Sequence, residues 1–220
     1  MPNWIVLQLA DSAFPTGGFA HSAGLEAAIQ HGDVATPADV VRFCAELIDQ
    51  LARGSLPMVA AVHDTPPRLH EIDTFARTTL WSHVAARASR AQGRALLDVA
   101  ARSFGHQVLL DARAQLSRSE LDGHLAPIYG FVTKHVGVDR DEALATFLHL
   151  GLRGALSAAV RLGAVGPTEA QSLHLRLHPA LDTGLAVGRT HALIDVAQPA
   201  PILELLQATQ DRLYSRLFQS

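Results

Sequence analysis

The sequence predicts an all-α protein, and three observations carry that reading. Apolar residues recur at spacings of three and four in nearly every segment, the period of a helix with one buried face. Residues that cap and stop helices punctuate the chain. No run of alternating polar and apolar residues bounded by turns, the mark of a strand, is found.

The elements follow in order. Trp4–Ala10 is apolar, with no basic stretch before it and no small-residue cleavage site after it, so it does not read as a signal peptide. A loop rich in Gly and Pro then feeds a second helix, which the spacing starts near Gly17-Gly18. Thr36-Pro37-Ala38-Asp39 offers a cap, a proline at the first helical position and an acid in the first turn. Val40, Val41, Cys44, Leu47, Ile48 and Leu51 continue that helix to Gly54. His63–Leu69, with Pro66-Pro67, reads as an exposed connection, and Leu181–Thr190, with Gly184 and Gly188, as a second. Glu71–Phe104 is one helix broken near Trp81-Ser82 or two in series. Asp139-Arg140-Asp141-Glu142 resembles a capping box before the Ala- and Leu-dense run to Leu162, which stops at Gly163. Gly166-Pro167 opens a helix to Leu177, and Pro201 opens a last one over Ile202–Gln210. The sum is one domain, residues 1–220, a bundle of roughly eight to ten helices.

Composition narrows function. The chain has 220 residues, 48% apolar but only 5% aromatic, so its core is aliphatic. Charged residues are 18% and the net charge is -3, which excludes a charge-driven disordered chain and disfavours a coat for nucleic acid. The single cysteine, Cys44, excludes an intrachain disulfide and any multi-cysteine metal motif, and suits a reducing, cytoplasmic setting. The longest stretch free of Asp, Glu, Lys and Arg, Ser12–Leu25, is 14 residues and holds Pro15, Gly17, Gly18 and Gly24, too short for a membrane span. No phosphate-binding loop or dinucleotide fingerprint is present.

Several constellations could carry chemistry. Ala20-His21-Ser22-Ala23-Gly24 approximates a nucleophile elbow, which gives one rival reading, a serine hydrolase using Ser22 and His21; no strand precedes it to make the elbow. Arg87, Arg90 and Arg94 form a basic stripe at helical spacing, the second rival, a nucleic-acid binder. His174 and His178 share one helical face, but no acid or cysteine stands at a companion spacing, so no metal site is assigned. The segment Asp211–Ser220 carries Arg212, Tyr214, Arg216 and Phe218, residue types favoured at interfaces.

Three blocks resemble the urease accessory proteins of the UreF type. The first runs from Leu7-Gln8-Leu9 through Phe14-Pro15-x-Gly17-Gly18-Phe19-x-x-Ser22-x-Gly24-Leu25-Glu26. The second comprises Ala126-Pro127-Ile128-Tyr129-Gly130, Ser157-Ala158-Ala159-Val160-Arg161-Leu162 and Gly166-x-Thr168-x-x-Gln171. The third is Tyr214-Ser215-Arg216-Leu217-Phe218-x-Ser220; Gly93-Arg94-Ala95-Leu96-Leu97 also fits. The resemblance implies an all-α, non-enzymatic homodimer that docks on the UreD/UreH accessory protein and recruits the UreG GTPase to apo-urease. Nickel then passes through the complex to a carbamylated-lysine active site, and this chain binds no cofactor tightly. By position, Phe19, Tyr214, Arg216, Leu217 and Phe218 match the UreD/UreH side, and Glu26 and Arg161 the UreG side. Pro15, Gly17, Gly18 and Gly24 form the motif's turn, and residues 1–20 and 211–220 are expected to order on partner binding. Departures are Phe19 in place of the usual Tyr, Ala20-His21 in place of Ser and an aromatic, and Gln219 in place of a common Arg.

Overall fold

Burial of one apolar face per helix, repeated along the chain, produces twelve α-helices and four short 3-10 turns in the computed structural model, which describes residues 3–220. No strand occurs among the described residues. The helices are α1 (Trp4–Leu9), α2 (Leu25–His31), α3 (Pro37–Gly54), α4 (Leu56–Asp64), α5 (Leu69–Thr79), α6 (His83–Phe104), α7 (Gln107–Ser117), α8 (Leu125–His135), α9 (Arg140–Arg161), α10 (Pro167–Arg176), α11 (His178–Thr190) and α12 (Pro201–Thr209).

The caps act as the sequence predicts. Thr36 Oγ1 accepts from the Asp39 amide while the Asp39 carboxylate accepts from the Thr36 amide, a complete capping box on α3. Asp139 caps α9 by accepting from the Asp141 amide, but the reciprocal half of the expected box is not made, since the Glu142 carboxylate accepts from Asn3 Nδ2 instead. The long Ala/Arg stretch is two helices: the chain leaves helical geometry at Leu80–Ser82, and Ser82 Oγ then caps α6. That break, and the separation of α10 from α11 before Pro179, raise the helix number above the eight to ten expected.

Two expected connections are corrected. α4 continues through His63 and Asp64, and His63 is buried, its Nε2–H donating to the Val138 carbonyl at 2.9 Å. Leu181–Thr190 is the body of α11 rather than a loop. Gly184 and Gly188 lie on its buried face because a Cβ at Gly188 would stand under 3.0 Å from Leu56, so these glycines permit close helix packing.

The core forms two neighbouring clusters. One holds Leu56, Val59, Leu97, Ile128 and Val132, where α8 packs between α4 and α6; the other holds Phe43, Ile48, Leu152, Leu156 and Leu173, where α3, α9 and α10 meet. α9 contributes to both. It is long and apolar enough to cross a membrane, but over half of that stretch is buried in the bundle. Gly130 sets the α4–α8 crossing, since a Cβ there would strike the Val59 carbonyl. Gly93 lets α6 approach the backbone of Gly123 and His124 in the same way. Asp73, buried on α5, accepts from the amides of Gly123 and His124 at 2.9 and 2.7 Å and fixes the turn into α8.

Candidate functional site

The N-terminal motif is shaped by its glycines. Gly17 and Gly24 both have left-handed backbone, with φ of 75° and 91°. Gly24 is also pressed against α12, where a Cβ would lie 3.1 Å from the Gln207 amide nitrogen. Gly18 begins the 3-10 turn Gly18–Ala20, not a longer helix, and α2 starts only at Leu25. Pro15 and the residues to Phe19 form part of the wall of a cavity of about 690 Å³, closed on other sides by Met58, Tyr129, Gly151 and Arg161.

The chain's last residues fold back onto this motif. The Ser22 amide donates to the Ser220 main-chain oxygen at 2.5 Å, and the Gln219 amide to the Ala20 carbonyl at 2.8 Å. Ser22 Oγ donates to the same Ser220 oxygen at 2.8 Å and accepts from the Glu26 amide at 3.3 Å. Glu26, 2% exposed, is the anchor: its carboxylate accepts from the amides of Leu217 (2.6 Å) and Phe218 (3.0 Å) and from Gln210 Nε2 (2.6 Å). A buried carboxylate that accepts three hydrogen bonds is tolerable where an isolated one would not be.

Arg161 closes the other side. Its guanidinium lies 4.0 Å from the Phe19 ring centroid and 4.3 Å from that of Phe218, and its Nη1 donates to the Phe19 carbonyl at 2.5 Å. Phe218, an interface candidate by sequence, is only 4% exposed because Arg161 and the α3–α9 cluster cover it. Phe19 keeps 68% of its surface open.

A second anchor ties the tail to α6. Asp211 accepts from Arg87 at 2.8 and 2.9 Å and from Arg216 at 2.9 Å, with His83 at 3.3 Å. The Arg87 guanidinium, more than any other group, holds the Asp211 carboxyl down at about 2. Burial first, and the Arg87 charge second, keep His21 below the usual histidine range; its Nδ1 lies 2.7 Å from Ser220 Oγ.

Phe19, Glu26, Arg161, Leu217 and Phe218 therefore meet in one cluster, with Arg216 beside it on Asp211. Tyr214 stands apart, fully exposed. Sequence reasoning missed Ser22, Gln210, Asp211 and Arg87 as anchors of the tail. Arg87 had a signal in its place in the basic stripe, and Ser22 in the motif, where the sequence marks it as a nucleophile candidate rather than an anchor.

The rival arrangements do not assemble. The Ser22 hydroxyl is buried and committed to Ser220, and the His21 ring turns to the Ser220 side chain, so no nucleophile–base pair forms between them. In the basic stripe Arg87 is held by Asp211, and Arg94 Nε donates to the Asp122 carbonyl. Cys44 is buried and its thiol is pushed up to about 12 by desolvation, which makes it inert. Among the described residues no group of three or more His, Cys, Asp or Glu side chains surrounds a position for a metal ion.

Residues 34–178 match the UreF family. Urease accessory protein F of Arabidopsis thaliana is 36% identical over 99% of this chain and 92% of its own length. The chain belongs to the UreF family of urease accessory proteins. Urease accessory protein F of Oryza sativa subsp. indica is 33% identical over 98% of the chain and 84% of its own length. An uncharacterized UreF-like urease accessory protein of Schizosaccharomyces pombe is 30% identical over 97% and 95%. Membership gives the chain a role in urease maturation. The UreF match omits the Pro15–Glu26 motif and the tail, but the relatives align across nearly the whole chain, so both ends of the cluster belong to the shared length.

Proposed function

We propose that this chain is a non-catalytic adaptor, a cytoplasmic homodimer that docks on the UreD/UreH accessory protein and recruits the UreG GTPase to apo-urease. Nickel is the cargo of that complex and passes to the carbamylated-lysine site of urease; the chain itself holds no cofactor tightly. The observation that carries the reading is the cluster in which Glu26 and Arg161 bind the tail against the N-terminal motif. It leaves Phe19 and Leu217 open to solvent, with Phe218 as the buried pin and Tyr214 exposed further along the tail. Exposed aromatics held on a rigid base are what an interface anchor needs. The segments 1–20 and 211–220 meet through the Gln219–Ala20 main-chain hydrogen bond and through Arg161 between Phe19 and Phe218, and residues of the first line a cavity, which supports their reorganisation when a partner binds. Met1 and Pro2 of that first segment lie outside the described residues.

Urease activation in a host lacking its own UreF protein, with this chain supplied in trans, tests the whole reading. Co-purification tests the parts. Removal of Leu213–Ser220, or Arg216→Ala, is expected to abolish capture of the UreD/UreH protein while far-UV circular dichroism stays helical. Wild-type capture by the truncated chain would overturn the tail assignment. Arg161→Ala is expected to weaken UreG recruitment.

A further inference from the structure

Three histidines from three helices meet on a face of the molecule built by α9, α10 and α11; His174 and His178, expected on one helical face, lie on α10 and α11 because the helix breaks at Leu177. His149 Nδ1 lies 3.3 Å from His174 Nε2, and His174 Nδ1 lies 3.3 Å from His178 Nε2. The rings stand edge to face, with centroids 5.3 Å apart in both pairs. The first two are half-buried and the third is exposed, so the group is open to solvent. Nothing in the tail cluster uses it.

We propose that His149 and His174 form a two-imidazole site for a borderline divalent transition-metal ion, with His178 as the residue that orients His174. Two ligands bonded at about 2.0 Å to a tetrahedral ion stand about 3.3 Å apart, which is the spacing of His149 Nδ1 and His174 Nε2. A ligating imidazole commonly donates its other N–H to a neighbour that fixes its tautomer, and His178 Nε2 is placed to accept from His174 Nδ1.

Protons balance without loss. One tautomer set that satisfies both contacts in the metal-free chain has His178 Nε2–H donating to His174 Nδ1 and His174 Nε2–H donating to His149 Nδ1. On binding, the His174 proton sits on Nδ1 and the His178 proton on its own Nδ1, so each ring keeps one. Imidazole ligands select Zn, Ni, Cu or Fe over Mg or Ca. Two protein ligands leave the rest of the coordination sphere to water, which makes a site that takes up and releases its ion. The inference is independent of the adaptor reading and stands or falls by a different measurement.

The test is calorimetric titration of the full chain with Ni²⁺, and separately with Zn²⁺, at pH 7.5. His149→Gln and His174→Gln are each expected to weaken the site about tenfold or more. His178→Gln should weaken it less, and His70→Gln, at an exposed histidine outside the group, should leave it unchanged. If His174→Gln perturbs the fold by circular dichroism, His149→Gln decides the question alone. The proposal is overturned if the wild-type chain shows no saturable binding, or if His149→Gln binds both ions as the wild type does.

Discussion

Replacing Glu26 by Gln probes the tail anchor with almost no change in volume. The carboxylate accepts two main-chain amides and the Gln210 side chain at 2.6 to 3.0 Å, in a position 2% exposed. Hydrogen bonds to a charged group contribute about 1.5–3 kcal/mol each. Their sum is not what the substitution costs, because glutamine keeps one acceptor oxygen and a released tail gives its amides back to water. Glutamine also turns an NH₂ group toward donors that need an acceptor. Loss of charge assistance on all three bonds, with one of them broken, amounts to about 2–4 kcal/mol against tail docking. At 1.4 kcal/mol per factor of ten, this is about a 30- to 1,000-fold rise in the open population. Amide hydrogen exchange at Leu217 and Phe218 reads that population directly, with Leu148 and Leu152 in the core as internal standards. The expected result is faster exchange in the tail by that factor and unchanged exchange in the core. Tail amides within threefold of wild-type rates would refute the claim that Glu26 is the anchor.

Arg161→Ala removes a guanidinium from between two rings, which at about 0.5–1 kcal/mol per exposed cation–π contact loosens the tail by about 1–2 kcal/mol in the same exchange experiment. Arg161→Lys recovers only part of this, since an ammonium keeps the charge but not the flat stacking surface. Gly130→Ala drives a Cβ into the Val59 carbonyl and should cost about 1–3 kcal/mol, lowering the melting temperature by about 2–12 °C. Gly154→Ala, with nothing within 4 Å of the added Cβ, should instead raise it. The Asp211 carboxyl is lowered from 3.8 to about 2 in the folded chain, so its contribution to tail docking is fully present above pH 4 and is lost as the pH falls through 2. An acid titration of tail exchange should show that loss, and Arg87→Gln should flatten it.

Local rules were legible in the sequence wherever a side chain speaks to its own backbone. Thr36 with Asp39, Asp139, and the prolines at 37, 167 and 201 placed the helix starts correctly, because capping depends on residues within one turn. The glycines of α11 misled for the opposite reason. Gly184 and Gly188 look like loop residues along the chain, but their meaning lies in Ile48 and Leu56, more than a hundred residues away. The candidate cluster divides in the same way. The resemblance brought Phe19, Glu26, Arg161 and the tail into view. That Glu26 binds the tail follows only from a fold that sets α2 beside α12. His149 likewise carries no mark in the sequence, for its neighbours His174 and His178 arrive from other helices.

The position of Glu26 and Arg161 under the tail also decides how partner binding should respond to their loss. A partner that binds only the docked tail has an apparent affinity reduced by the docked fraction. If docking in the wild-type chain is stronger than the 2–4 kcal/mol that Glu26→Gln removes, amide exchange in the tail rises while the docked state stays dominant. Capture of the UreD/UreH protein is then unchanged. If docking is weaker than that, the docked fraction falls and capture falls with it, while exchange in the tail approaches the rate of the open chain. Exchange and affinity measured on the same variant therefore bracket the docking free energy. Tyr214→Ala separates a surface effect from this coupling. Its side chain is fully exposed, so it should weaken capture with no change in exchange at Leu217 and Phe218. Equal losses of capture in Tyr214→Ala and Glu26→Gln, with exchange altered only in the second, would mean that the tail acts through its own contacts, with the N-terminal motif as its seat. Loss confined to Glu26→Gln would place the contact on the docked tail and its seat, away from the Tyr214 ring; a gain of capture would place it on the motif that the tail covers.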